Sequence, residues 1–159
     1  AAHVVEMLAA ICTELGRPDE ALALLDEARS AIAAMGTPDE QAHFRIEEAR
    51  ALSAAGRKEE AGALAMGLVG QIGDSQPADS GRAFLLLGEV FDDLGEAERA
   101  RELYELAIER LDRYGGSRYL VAAYRRLAEI QKALGRRDEA LELLERAVGL
   151  QEEAGRRLR

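Results

Sequence analysis

The chain has 159 residues, with 30 acidic and 21 basic side chains, a net charge of −9, and 48% hydrophobic against 4% aromatic residues. So negative a charge argues against nucleic acid as a direct ligand, the apolar fraction suffices for a core, and no run of about 18 apolar residues exists to cross a membrane. Cys12 is the single cysteine and no signal-peptide pattern appears, which excludes a disulfide framework and a cysteine-based zinc site and leads us to expect a cytoplasmic protein.

Ala, Leu, Glu and Arg dominate, β-branched residues are sparse and period-2 alternation is almost absent, so the fold is expected to be all-α. In chain order, one pattern recurs four times, as TELGRPDEALALL, SAAGRKEEAGALA, DDLGEAERARELY and KALGRRDEALELL. Its marker glycines are Gly16, Gly56, Gly95 and Gly135, spaced 40, 39 and 40 apart. The period accounts for the whole chain as one array of four units, at about residues 1–36, 37–76, 77–116 and 117–155. Each unit reads as two helices flanking its glycine, which suits the left-handed backbone that ends a helix. In the first unit the next helix opens at Pro18-Asp19-Glu20, with proline in the first turn and acids at the positive end of the dipole. The second unit opens at Thr37-Pro38-Asp39-Glu40, where Thr37 is the expected cap and Glu40 completes a capping box. Gly36, the stretch Gly73-Asp74-Ser75-Gln76-Pro77 and Gly115-Gly116 separate the units, and Gly155 is expected to close the fourth.

Small residues recur at fixed offsets. Ala9, Ala49, Gly88 and Ala128 stand seven before the marker, and Ala21, Ala61, Ala100 and Ala140 stand five after it. Such matched small positions let two antiparallel helices approach closely. Larger apolar residues fill the gaps: Leu8, Leu87 and Leu127 eight before, Val5, Phe84 and Tyr124 eleven before, and Leu25, Ala65, Tyr104 and Leu144 nine after. Glu48 and Arg45 are the second unit's exceptions. All of these are expected to be core.

This pattern resembles the tetratricopeptide repeat. The third unit carries it most fully, as Phe84, Leu87-Gly88, Phe91, Gly95, Ala100, Tyr104 and Ala107; the fourth replaces one aromatic by Gln131, and the second is degenerate. The family's usual period is about 34 residues, so the units here need longer helices, like those of bacterial multidomain regulators and kinesin light chains. An excess of Arg over Lys, 19 to 2, points to a GC-rich bacterial genome. The resemblance implies a right-handed α-solenoid of four antiparallel helix pairs, with the first helix of each unit lining a concave groove that binds a protein or peptide.

The family's groove positions fall on His3, Glu6, Met7, Ala10 and Thr13; His43, Ile46, Glu47, Arg50 and Ser53; Arg82, Leu85, Leu86, Glu89 and Asp92; and Ala122, Arg125, Arg126, Glu129 and Lys132. Arg50, Arg82, Arg125 and Arg126 are the expected ligand contacts, because a guanidinium presents a planar fork to carboxylates and peptide carbonyls. Leu85 and Leu86 offer an apolar centre, with one of the two expected in the core. The chain has no Asn, which removes the side chain that some members of the family use to hold a partner's carboxylate or peptide backbone. His3 and His43 share an offset, but equivalent positions on neighbouring helices lie about 8–10 Å apart, too far for one metal ion. No HExxH, GxxxxGK[ST] or GxSxG motif occurs. We therefore expect no enzyme activity, no cofactor, no metal and no membrane contact.

The chain opens inside a helix and neither end has a polar capping helix, so it is expected to be the interaction part of a longer, regulatory protein, with self-association as the alternative. Charge is uneven along it: residues 1–36 hold 6 acids and 2 bases, while residues 117–159 hold 7 acids and 10 bases.

Overall fold

A computed structural model describes residues 2–73, 80–114 and 117–157. They form eight helices: α1 (Ala2–Glu14), α2 (Pro18–Met35), α3 (Pro38–Ala54), α4 (Lys58–Gly73), α5 (Ser80–Asp93), α6 (Ala97–Tyr114), α7 (Ser117–Ala133) and α8 (Arg137–Arg157). The chain divides into two compact units, Ala1–Asp74 and Ser75–Arg159. Each holds two helix pairs, α1/α2 and α3/α4 in the first, α5/α6 and α7/α8 in the second. The all-α, tetratricopeptide-like class expected from the repeat is the class observed.

Three residues join the helices of each pair, so the second must fold back along the first. The turn is built the same way four times. Gly95 has φ +80°, and Gly16, Gly56 and Gly135 lie between +72° and +79°; among the described residues no other type has positive φ. The amide of the residue after the glycine reaches back five residues: Arg17 N donates to Cys12 O at 2.8 Å and Glu96 N to Phe91 O at 2.8 Å, while each glycine N–H donates to the carbonyl three before it. This paired closure satisfies carbonyls that the helix end would leave open. At α3 the capping box is complete: Glu40 N donates to Thr37 Oγ1 at 3.2 Å and Thr37 N to Glu40 Oε2 at 2.8 Å.

The extra period length goes into the helices, which run to 18 residues in α2 and α6 and 21 in α8. Gly155 does not close the fourth unit. It lies inside α8, which continues to Arg157, because a glycine with ordinary helical dihedrals weakens a helix without ending it. The expected separators at residues 74–77 and Gly115-Gly116 lie outside the described residues.

In the first unit Ala9, Ala21, Leu25, Ile32, Phe44 and Ala51 form a core cluster, with Val5, Cys12, Leu22 and Ala28 packed against it. In the second, Phe84, Leu87, Phe91, Tyr104, Ala107, Leu111, Leu120, Tyr124, Leu127 and Ile130 are buried. Complete burial of one such side chain stabilises by about 1.5–3 kcal/mol. Two expected core residues are surface residues: Leu8 on α1 and Leu144 on α8 are exposed. Both occupy positions that are buried elsewhere in the repeat; among the described residues α1 packs on α2 and α3 and α8 on α7, and no helix covers these two positions.

Candidate functional site

The second unit brings the expected groove residues together. On α7, residues 118, 121, 122, 125, 126 and 129 fall at spacings of three and four, which places them on one helical face. With Glu89 of α5 and Leu150, Gln151 and Ala154 of α8, they line an open depression of about 700 Å³. Its charged members are Arg118, Arg125, Arg126, Glu89 and Glu129. The lining is therefore net positive by one, in a chain that is net −9.

Polar contacts hold the walls. Arg126 Nε donates to Glu89 Oε1 at 3.2 Å, and its Nη2 lies 3.1 Å from the same oxygen, tying α7 to α5. Burial opposes the charge of Arg126, yet the carboxylates of Glu89 and Asp92 hold the guanidinium above its ordinary pKa. Arg125 Nη2 donates to Gln151 Oε1 at 2.9 Å, tying α7 to α8. That partner is a neutral amide, so the bond does not neutralise the Arg125 charge. Asp92, one turn beyond Glu89, has a carboxyl pushed above its usual range by burial and by Asp93, with Arg126 opposing.

Behind the site stands Tyr104 of α6. Its ring is fully buried and, among the described residues, its hydroxyl has no hydrogen-bond partner. Burial, then the nearby carboxylates of Asp92 and Glu89, push that hydroxyl far above the ordinary tyrosine range, so it stays protonated. A Cβ on Gly88 would lie 2.6 Å from Tyr104 Cε1. The absence of a side chain at Gly88 thus lets α5 sit on α6 and sets the place of Glu89.

Of the expected groove residues, Glu89, Ala122, Arg125, Arg126 and Glu129 line the depression, and Lys132 is exposed outside it. Arg82 lies over the Tyr119 ring, 5.5 Å from its centroid, with Arg118 over the same ring at 4.5 Å. Leu85 is 3% exposed and belongs to the interior, while Leu86 is half-buried. The offset that placed Leu85 on the groove face put it one step inside it. In the first unit Glu47 is buried, and Arg50 Nη1 donates to both of its oxygens at 3.1 and 2.9 Å. That arginine is engaged by its own helix. His3 Nδ1 lies 3.8 Å from Glu6 Oε2, and His43 is half-buried in α3. Among the described residues no three His, Cys, Asp or Glu side chains form a metal-binding group, and no helix is long and apolar enough to cross a membrane.

Arg118, Val121, Leu150, Gln151 and Ala154 were not expected. Arg118 and Val121 lie toward the start of α7, before the family's groove positions begin. The other three come from the second helix of the repeat, α8, where the family's groove offsets assign no position.

Two tetratricopeptide repeat family models match the chain, one over residues 79–153 and the other over residues 2–27 and 42–65. No curated protein matches it significantly. Among solved structures, TPR-like repeats assigned to a kinesin light chain of Podosopora anserina are similar at 25% identity and a TM-score of 0.76, covering 95% of this chain and 75% of that one. MamA is similar at 20% identity and a TM-score of 0.65, covering 98% of this chain and 81% of that one. A STAND (signal transduction ATPase with numerous domains) protein of Pyrococcus horikoshii with a tetratricopeptide repeat sensor is similar at 19% identity and a TM-score of 0.69. Those shares are 94% of this chain and 23% of that one.

Proposed function

Because the chain belongs to the tetratricopeptide repeat family, whose repeats mediate protein and peptide binding, we propose that it is an interaction scaffold whose partner seats in the α5/α7/α8 depression. The occupant is an acidic segment of a protein. The observation that carries this reading is the local positive surplus around Arg118, Arg125 and Arg126 in an otherwise acidic chain. Arg125 supplies the charge-assisted hydrogen bond, since its present partner is neutral, and Arg126 adds a charge already oriented by Glu89. Leu150, Val121, Ala122 and Ala154 supply the apolar surface against which the segment packs. The scaffold performs no chemistry of its own and takes neither nucleic acid nor membrane as its direct partner.

The setting we propose is the sensing or interaction part of a bacterial regulatory protein in the cytoplasm. The likeness to the STAND protein supports it, since the repeats there are named as a sensor. Selection from a phage-displayed random peptide library tests the binding reading. Peptides retained by the chain should be enriched in Asp and Glu. Arg125→Glu should weaken them about tenfold or more, equivalent to about 1.4 kcal/mol. Arg113→Glu, the same charge change at an exposed position of α6 outside the depression, should leave binding unchanged. Equal binding by both variants would remove the depression from the account.

A further inference from the structure

One buried position departs from the chemistry of the repeat. Four residues before the marker glycine stand Cys12, Leu52, Phe91 and Gln131. Leu52 and Phe91 are buried, and Cys12 packs against the core of the first unit. Gln131 is only 7% exposed, although an amide loses free energy on burial unless its donors and acceptors are paired. Half of this amide is paired: Arg136 Nη1 donates to Gln131 Oε1 at 3.2 Å. The Nε2 group, with two hydrogens to donate, has no partner among the described residues.

Gln131 opens instead on a cavity of about 220 Å³, which shares no residue with the depression described above. α6 and α8 both pack on α7. The buried Leu127 and Gln131 of α7 form the floor of the cavity, and Glu105 of α6 and Glu139, Glu142 and Arg146 of α8 form its walls. Three carboxylates thus face one guanidinium, the reverse of the balance in the α5/α7/α8 depression. Glu105 accepts from Arg101 Nη1 at 2.7 Å. Glu139 and Glu142 are exposed and have no ion-pair partner among the described residues. The three carboxylates do not converge on one ion, since among the described residues no such group could hold a metal. What suits them is a ligand with separated positive charges. Glu139 and Glu142 stand one helical turn apart, about 5–6 Å between Cβ atoms, and alternate side chains of an extended segment stand about 6.5 Å apart.

From these observations we infer that the α6/α7/α8 cavity is a second peptide seat, and that it takes an extended basic segment of a partner protein. Gln131 Nε2 donates to a backbone carbonyl of the segment, which pairs the buried amide that the fold leaves half-satisfied. Glu139 and Glu142 pair with successive lysine or arginine side chains on one side of the segment. Leu127 and Leu143 supply the apolar contact beneath it. The scaffold then holds segments of opposite charge at two separate places on its second unit.

Fluorescence polarisation of a labelled peptide that alternates lysine and alanine tests the inference. The wild-type chain should bind it saturably. Glu142→Lys should weaken binding about tenfold or more. Gln131→Leu changes no charge and should weaken it about threefold to tenfold, the loss of one hydrogen bond. Leucine is the residue that Leu52 places at the same offset in α3, and unchanged helical circular dichroism checks that both variants fold. Glu145→Lys, the same charge change at an exposed position of α8 outside both cavities, should leave binding as it is. No saturable binding in the millimolar range would overturn the inference. So would equal losses in Glu142→Lys and Glu145→Lys, which indicate diffuse attraction to an acidic chain, or full affinity in Gln131→Leu. A wild-type mass that rises with concentration in analytical ultracentrifugation, and stays that of a monomer in Glu142→Lys, would give the cavity to a second copy and overturn it too.

Discussion

Replacing Gly88 by alanine probes the contact on which the site rests. The new Cβ would stand 2.6 Å from Tyr104 Cε1, 2.7 Å from Cδ1 and 3.2 Å from Cζ. Carbon atoms at optimal contact are about 3.5–4.0 Å apart, and the ring, fully buried, has no open side to move toward. Forcing an extra methyl into such a core costs about 1–3 kcal/mol. Against this, alanine in a helix interior is favoured over glycine by about 0.5–1 kcal/mol. The contact lies at the severe end of the range, so Gly88→Ala should destabilise by a net of about 1–2 kcal/mol, lowering the melting temperature by about 3–6 °C. Gly149→Ala is the control, since its Cβ meets nothing within 4 Å and only the propensity gain remains. Urea unfolding followed by circular dichroism reads both. The double variant Gly88→Ala/Tyr104→Leu should cost less than the sum of its single changes, because the smaller side chain frees the space. If Gly88→Ala matches or exceeds the wild type in stability, the close approach of α5 to α6 does not depend on glycine and the reasoning fails.

Tyr104→Phe should hold or raise stability by up to about 1 kcal/mol in the same unfolding assay, because it removes a buried hydroxyl without a partner; a clear loss would reveal a hydrogen bond to that oxygen. Asp92→Asn should raise stability at neutral pH. The Asp92 pKa is raised on folding, so the folded chain binds the proton more readily than the unfolded one and stability falls as pH rises through the carboxylate range. The advantage of the asparagine should therefore vanish as the pH drops below that range, and an advantage independent of pH would contradict the sign. Thr37→Ala should cost about 1 kcal/mol, read as a drop in urea midpoint, because it removes the oxygen that accepts from Glu40 N.

The period was the most legible feature of the sequence. Four glycines at matched spacing fixed the turns, because a left-handed helix end admits few other residues, and the Thr37–Glu40 box fixed one helix start. The ends were less legible. Leu8 and Leu144 match the core pattern as well as Leu87 and Leu25 do, yet burial at those positions requires a helix packed beside them, which an offset from the glycine does not record. Glu48 looked like a defect until Arg29 supplied its partner, a pairing across 19 residues that no local pattern displays. The candidate site divided in the same way. Offsets from Gly135 found Arg125, Arg126 and Glu129, all on one face of one helix. Leu150 and Gln151 come from the second helix of the repeat, where the family's groove offsets assign no position. Arg50 was ranked with Arg125 because offsets assign positions and not partners. Glu47, three residues away on the same helix, occupies it.

The most direct test of the central claim, that the α5/α7/α8 depression seats the partner, is amide chemical-shift mapping. An acidic peptide selected on the chain would be titrated at concentrations where the chain is monomeric. The account expects the perturbed amides to concentrate in residues 118–129 and 150–154 and around Glu89, and expects them to disappear with Arg125→Glu. Perturbations centred on α1–α4, or unchanged in that variant, would contradict it.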